Sequence, residues 1–271
     1  MSLLQLTLAT IDQAPSEMPL YMLVQRSVML LQSNAPTDGK PYYGCFSGGK
    51  DSIVIKRLAQ MAGVPVEWHY NVIIDPPELM RFIREHHPDV KWERSVFHRG
   101  PRKGQRRPHF FARIKEKLLV PTRFRRWCCT EYKHSKGPRK CTRILGIRVE
   151  ESTDRRARYT SCVMPKPAGR REVYPIRLWT KEHVWQFIRE QRLPYCSLYD
   201  EGFERLGCVG CPLSSPDHRR REFKRWPHFE RQWRAACDFV VSERARLGKS
   251  PPPDSLLMEW NSNHAGLSNG G

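Results

Sequence analysis

The chain has 271 residues, long enough to bury a sizeable core, and its 39% hydrophobic content suits a folded soluble protein rather than a disordered one. A net charge of +19 points toward polyanionic partners. No apolar run nears the roughly 20 residues of a membrane-spanning helix, and no basic region precedes an apolar stretch at the N-terminus, so the expectation is a cytoplasmic protein with no membrane partner.

In chain order, "PLYMLVQRSVMLLQS" spaces Leu20, Leu23, Val24, Val28 and Leu31 as one face of an amphipathic helix. "YYGCFS" reads as a short buried strand, Gly48 and Gly49 as a turn, and "DSIVIKRLAQMA" as a helix with Ile55, Leu58, Ala59 and Ala62 on one side. "VEWHYNVII" is a second strand, closed by Asp75 as N-cap with Pro76 at the first helical position and Glu78 completing a capping box. "CTRILGIRV" supplies another strand, "KEHVWQFIREQ" a helix capped by Thr180, and "HFERQWRAACDFVVSERARLG" a last helix with Phe229, Trp233, Ala236, Val240 and Leu247 in register. The tail after Gly248, with three prolines, is expected to be loose. Strands alternating with helices predict an α/β fold with a doubly wound, mainly parallel sheet covered by helices on both faces, plus a C-terminal helical extension.

The charge is unevenly spread. Residues 91–143 hold 18 Lys or Arg against 3 Glu, a field suited to nucleotides or nucleic acid, with a merely solvated face as the alternative. Trp92, Phe97, Phe110, Phe111, Phe124 and Trp127 interleave with it; large rings more often fill a core, although exposed ones offer stacking platforms.

In "GCFSGGKDS" the glycines follow a strand and open a helix, so free backbone N–H groups and the positive end of a helix dipole converge where an anion can bind. Lys50 adds a mobile cation, Ser47 and Ser52 add hydroxyls, and Asp51 adds a carboxylate able to hold Mg²⁺. The pattern is neither the Walker A loop nor the dinucleotide-binding G-x-G-x-x-G.

The cysteines supply a second constellation. Nine of them without a secretory signal favour metal binding or reactivity over disulfides. Cys128 and Cys129 are adjacent, with Cα atoms about 3.8 Å apart, closer than disulfide geometry allows; after 78 intervening residues, Cys208 and Cys211 form a C-x-x-C. A [4Fe–4S] cube spreads its ligands over separate irons and accommodates adjacent cysteines better than one zinc ion does; cluster, zinc and no metal all remain open. Cys45, Cys141, Cys162, Cys196 and Cys237 read as small buried apolar residues.

"SGGKDS" resembles the PP-loop of the ATP pyrophosphatases, and within that superfamily the chain resembles the phosphoadenosine phosphosulfate reductase family. "GIRVEESTDR" at 146–155, "YPIRLWTKEHVWQFIREQRLPYCSLYDEGFERLGCVGCP" at 174–212 and the tandem cysteines fall in that family's order, so the likeness spans about 42–216. It implies three segments: an N-terminal helical piece at 1–40, a nucleotide-binding domain at 41–216, and a C-terminal helix and tail at 217–271. It also implies that Ser47, Gly48, Gly49, Lys50, Asp51 and Ser52 hold phosphates of an adenine nucleotide. Arg148, Glu151, Ser152 and Arg155 would line the opposite side of the pocket, and Lys50, Asp51, Arg148 and Arg155 would carry the chemistry. The tandem pair with a distant C-x-x-C is similar to the cluster pattern of adenylylsulfate reductases, making Cys128, Cys129, Cys208 and Cys211 the ligands implied for a [4Fe–4S] cluster. The family's C-terminal Glu-Cys-Gly-Leu-His segment has no counterpart in the sequence, which reads "NHAGLSNGG" at its end and has no cysteine beyond Cys237.

The function expected is therefore a PP-loop enzyme that binds ATP with Mg²⁺, or an adenylylated sulfate, and acts at the α-phosphate linkage in sulfur metabolism or transfer. Nucleic acid engaged by the 91–143 segment, as in tRNA thiolation or DNA phosphorothioation, and a sulfur-donor protein such as a cysteine desulfurase or a thioredoxin-like protein are the partners implied. A genuine adenylyl or phosphoadenylyl sulfate reductase producing sulfite, and a non-catalytic iron–sulfur protein that binds nucleic acid, are the alternatives.

Overall fold

The computed structural model describes residues 18–134, 137–138 and 140–250. The proline-containing tail beyond 250 and the first part of the 1–40 segment lie outside the described residues. The chain forms two compact units that interleave in sequence: the first comprises 1–70, 78–92 and 137–205, the second 71–77, 93–136 and 206–271.

The first unit opens with α1 (Leu20–Ser33). Leu20, Leu23 and Leu31 are buried as their spacing predicts, while Val24 and Val28 are only half-buried. The position between them on the inner face belongs to Ser27, whose hydroxyl reaches Pro175 O (2.7 Å) and accepts from Trp179 Nε1 (3.2 Å). The strand β1 (Tyr42–Phe46) leads through Gly48 and Gly49 into α2 (Lys50–Met61), and β2 (Val66–Asn71) pairs parallel with β1. The helix α3 (Pro77–His86) begins one residue later than expected. Asp75 is not used as predicted: its carboxylate accepts from Ile73 N (3.2 Å), closing the turn behind it.

The strands β3 (Lys91–Glu93), β4 (Thr142–Ile144), β5 (Val163–Lys166) and β6 (Arg170–Val173) complete a six-stranded sheet in the order β3-β2-β1-β4-β6-β5. The β1–β2, β1–β4 and β4–β6 pairs are parallel, so the α/β reading holds and helices flank a mainly parallel sheet. Only the edge departs from it, where β5 and β6 form an antiparallel hairpin closed by a single helical turn at Pro167–Gly169. The strand order reverses beside β1: β2 lies on one side of it and the later strand β4 on the other. In open α/β sheets such a reversal leaves a crevice at the carboxyl ends of the two strands. The helix α7 (Lys181–Glu190) packs on α1 and α2 and starts in a full capping box, in which Thr180 accepts from His183 N and His183 Nδ1 accepts from Thr180 N.

The second unit is helical. The helix α4 (Phe110–Lys117) packs against the C-terminal helix α9 (Pro227–Arg246), which is preceded by α8 (Pro216–Arg225). Trp233 of α9 is met edge-on by Phe110 at 5.2 Å and by Phe111 at 5.6 Å. Half of the six rings within the basic segment are therefore core, as Phe97, Phe110 and Phe111 are buried, while Trp92 and Trp127 are half-buried and Phe124 is exposed. Leu247, expected to continue the buried stripe of α9, is exposed just past its end.

Candidate functional site

The turn between β1 and α2 sits at the strand-order reversal and depends on glycine. Gly48 has φ +72°, and a Cβ there would lie 2.7 Å from both Leu79 Cδ1 and Ile83 Cδ1 of α3. The turn's polar groups are already engaged. Gly49 N donates to Ser47 Oγ (3.3 Å), Ser47 Oγ meets Ser52 Oγ (3.2 Å), and Ser52 Oγ donates to Gly49 O (2.8 Å). Lys50 N donates to the hydroxyl of Tyr199 (2.9 Å). The amides expected to be free for an anion are thus held by neutral hydroxyl oxygens.

Charge converges on the same turn. The Lys50 side chain is buried, with its Nζ 3.3 Å from Asp51 Oδ2 and 3.4 Å from Glu204 O. Asp51 Oδ1 accepts from Arg148 Nε at 2.6 Å. Arg148 is 3% exposed; its other nitrogens pair with Glu150 and, at 3.6 Å, with Glu151 Oε1. Burial pulls against the Arg148 charge, but Asp51 and the two glutamates outweigh it and hold its pKa above the ordinary value. Arg155 pairs with Glu151, and Ser152 caps the short helix α6 (Thr153–Arg158) by accepting from Arg155 N (3.2 Å). The structure therefore joins Lys50, Asp51, Arg148, Glu151 and Arg155 in one ion-pair chain, with Ser47, Gly48, Gly49 and Ser52 forming the turn beneath. Sequence reasoning missed Tyr199. Its backbone lies in the 174–212 stretch, but nothing in that pattern shows that the hydroxyl closes onto the amide of Lys50.

The four motif cysteines all lie in the second unit. Cys128 and Cys129 end the one-turn helix α5 (Trp127–Cys129), which runs on into a π-helical turn at Thr130–His134. The C-x-x-C loop is pinned from several sides: Val209 N donates to Ile74 O (2.9 Å), Trp233 Nε1 donates to Val209 O (3.0 Å), and Gly210 N donates to Glu222 Oε2 (2.8 Å). Gly210 is at φ +73°, and a Cβ there would run into Trp233 Nε1, so a side chain is excluded twice over.

All nine cysteines are unbridged, and the four motif thiols interact electrostatically with one another. Cys128 donates to Cys129, which lowers the Cys129 pKa to about 5 with help from Lys133 and Arg126, while Cys128 is pushed the other way. Burial pushes the Cys208 thiol up to about 12, against the pull of Lys133. The Lys133 ammonium is held well above its usual pKa by Cys208 first, then by Asp75, Cys129 and Cys211. Lys133 was not singled out from sequence; its place four residues beyond Cys129, one helical turn on, was the available signal. Among the described residues no group of three or more His, Cys, Asp or Glu closes to hold a single metal ion. The donors fit an iron–sulfur cube in kind, since they are four thiols in two pairs facing one cation, and a cube sets its ligands on separate irons.

Comparison with known proteins bears on both constellations. An uncharacterised protein of Methanocaldococcus jannaschii is 25% identical over 209 residues, 72% of this chain and 41% of that protein. An adenosine 5'-phosphosulfate reductase of Salinibacter ruber is 35% identical over 85 residues, 31% of this chain and 33% of that enzyme. The chain thus spans less than half the length of these curated relatives. The crystal structure of a phosphoadenylyl-sulfate reductase from Candida auris, in a phosphate complex, superposes with a TM-score of 0.50 at 14% identity, covering 77% of this chain and 96% of that one; this is a likeness of fold. The family model described as the phosphoadenosine phosphosulfate reductase domain matches residues 42–214, which include the turn after β1, the 146–155 loop and all four motif cysteines, and the chain belongs to that family.

Proposed function

We propose that the chain is an enzyme that binds an adenine nucleotide at the turn after β1 and attacks its α-phosphate linkage, transferring the adenylyl group to an acceptor in a sulfur-transfer reaction. The observation that carries this is the Lys50–Asp51–Arg148 set at the strand-order reversal, two buried cations on one carboxylate beside a helix N-terminus. Phosphate oxygens accept stronger bonds than the Ser47 and Tyr199 hydroxyls do, because charge-assisted hydrogen bonds are roughly twice as strong as neutral ones. An arriving triphosphate takes over the amides of Gly49 and Lys50 and draws the Lys50 and Arg148 cations off Asp51. Asp51 is then the carboxylate that would hold the Mg²⁺ brought with ATP.

An acceptor oxygen forms a bond to the α-phosphorus, the bond from that phosphorus to the bridging oxygen breaks, and its electron pair leaves with pyrophosphate. Little covalent help is needed from the protein. Lys50 and Arg148 neutralise charge on the phosphates, and the turn aligns the linkage. Arg155, Glu151 and Ser152 hold Arg148 and the loop behind it in place. Cys128, Cys129, Cys208 and Cys211 would hold a [4Fe–4S] cluster, which supplies a site for sulfur when bound. The acceptor we assign is nucleic acid, drawn by the basic 91–143 segment, with sulfur supplied by a donor protein of the cysteine desulfurase or thioredoxin-like kind.

Incubation with ATP, Mg²⁺ and acceptor is expected to yield pyrophosphate, and Lys50→Ala to abolish nucleotide binding; release of orthophosphate alone would refute the reading. The similarity to adenosine 5'-phosphosulfate reductases supports a second reading, reduction of adenylyl or phosphoadenylyl sulfate. Sulfite formed from either compound with thioredoxin would select it. Protein purified anaerobically is expected to be brown, with about four irons per chain, and zinc in their place would remove the cluster.

A further inference from the structure

Phe124 is 92% exposed, whereas the next most exposed large apolar side chain among the described residues, Tyr21, is at 64%. It stands in "RFRRW", flanked by Arg123, Arg125 and Arg126, all exposed. The loop is not left to wander. Thr122 is buried and closes a turn beneath the ring, with Arg125 N donating to Thr122 Oγ1 (2.9 Å) and Thr122 N donating to Arg125 O (3.3 Å). The Arg123 guanidinium donates to Pro212 O (3.0 Å) and Ser214 O (3.3 Å), tying the loop to the segment that follows the C-x-x-C. At its other end Arg126 Nη2 lies 3.8 Å from Cys129 Sγ. A hydrogen-bonded turn therefore holds a phenyl ring in water, flanked in sequence by exposed arginines, one of which reaches the thiol set.

The unit around it carries the charge. It holds 24 Lys or Arg against 11 Asp or Glu, a net +13 of the chain's +19. Part of this is neutralised internally: Glu131 accepts from Arg107 (3.0 Å), Arg113 (2.9 and 3.1 Å) and Lys117 (3.0 Å). In the Phe124 loop Arg125 and Arg126 are exposed, and Arg123, also exposed, is engaged by carbonyl oxygens rather than by a carboxylate.

We propose that the loop at 122–126 is a contact for single-stranded nucleic acid, in which an unpaired base stacks on Phe124 and the backbone phosphates on either side meet Arg125 and Arg126. This rests on the nucleotide-dependent reading above and specifies the form of its acceptor. Base faces are occupied by their neighbours in a duplex, whereas an unpaired segment offers them freely, and stacking tolerates any base because each has a π-face. Guanidiniums beside the ring match phosphate oxygens. The same chemistry serves RNA and DNA, and the 2'-hydroxyl separates them.

The test uses the full chain, purified anaerobically, with fluorescently labelled single-stranded RNA and DNA 12-mers of mixed sequence and the matching duplexes. Phe124→Ala is expected to weaken single-strand binding about tenfold, and Phe124→Trp to restore it. Arg125→Gln is expected to lower the slope of log affinity against log salt by about 0.7. Stronger binding of one strand type identifies RNA or DNA as the natural form. Affinity unchanged in Phe124→Ala overturns the proposal, as does duplex binding as tight as single-strand binding. An equal loss by Phe124→Ala against polyglutamate would assign the loop to an acidic protein and overturn it as well. ATP binding is measured in parallel on wild type and Lys50→Ala. If Lys50→Ala binds ATP normally, the nucleotide reading fails while a Phe124 effect on oligonucleotides still stands. If pyrophosphate is released normally and Phe124→Ala has no effect, only the loop assignment fails.

Discussion

Arg148 is the residue whose removal best tests the proposed nucleotide site. Replacing it by Met keeps most of the stem and deletes a guanidinium that is 3% exposed and bonded to Asp51 at 2.6 Å. Asp51 is left with Lys50 at 3.3 Å, and Glu151 keeps Arg155, so Asp51 and Glu150 bear most of the loss. Breaking a buried pair from one side costs about 3–5 kcal/mol. The 16% side-chain exposure of Asp51 and the remaining Lys50 contact place the expected cost near the lower end, at about 3 kcal/mol. For a unit of this size that lowers the midpoint of thermal unfolding by about 6–12 °C. The double variant Arg148→Met with Asp51→Asn is expected to be less destabilised than the sum of the two single variants, by about 1–3 kcal/mol. Differential scanning fluorimetry on the four proteins, with and without ATP, reads both quantities. ATP is expected to raise the wild-type midpoint and to leave the Arg148→Met midpoint where it was. Strict additivity, or an undiminished ATP shift in Arg148→Met, would refute the argument that Arg148 and Asp51 act as one element of a phosphate site.

Gly48→Ala is expected to cost about 1–2 kcal/mol in backbone strain alone, before the contacts at 2.7 Å with Leu79 and Ile83 are relieved, and to weaken nucleotide binding; a normal midpoint would refute the tight-turn account. His87 governs acid stability. Burial first, then the nearby Lys56, depress its pKa from 6.5 to about 4. The unfolded chain therefore takes up a proton before the folded one does, so stability is full above about pH 6.5 and falls toward pH 4, by about 2–3 kcal/mol in total. In His87→Phe the decline across that window is expected to flatten, and an unchanged slope in urea titrations at pH 4.5 and pH 7 would assign the acid sensitivity to other groups.

Local signals predicted the elements well wherever local physics decides them. The stripe Ile55, Leu58, Ala59 defines α2, and Thr180 caps α7 where the pattern placed it. Glycines between strand and helix marked the turn from β1 into α2. What escaped was set by distant partners. Asp75 looks like an N-cap from its neighbours alone but turns back to Ile73, and β5 and β6 are short, charged and exposed enough to read as loop. The candidate site residues were legible as a group, because Lys50, Asp51 and Arg148 stand in the motifs and the structure brings them together. Their internal engagement was not, since the hydroxyl of Tyr199 reaches Lys50 N across 149 residues of sequence.

Charge counting leaves out how the cations are paired. Within the cation surplus of 91–143, Glu131, one of its three acidic residues, holds three of the cations while only 14% of its side chain is exposed. Burial alone would raise the Glu131 pKa, but Arg113 and Lys117 overcome it and keep the group ionised. A carboxylate so placed stabilises its neighbours and removes their field from solvent, because a neutralised cluster attracts a distant phosphate weakly. The attraction offered to a polyanion therefore rests on exposed cations outside that cluster, and the "RFRRW" turn carries exposed arginines on both sides of an exposed ring. Partner choice follows from which charges the fold leaves unanswered rather than from how many the sequence contains.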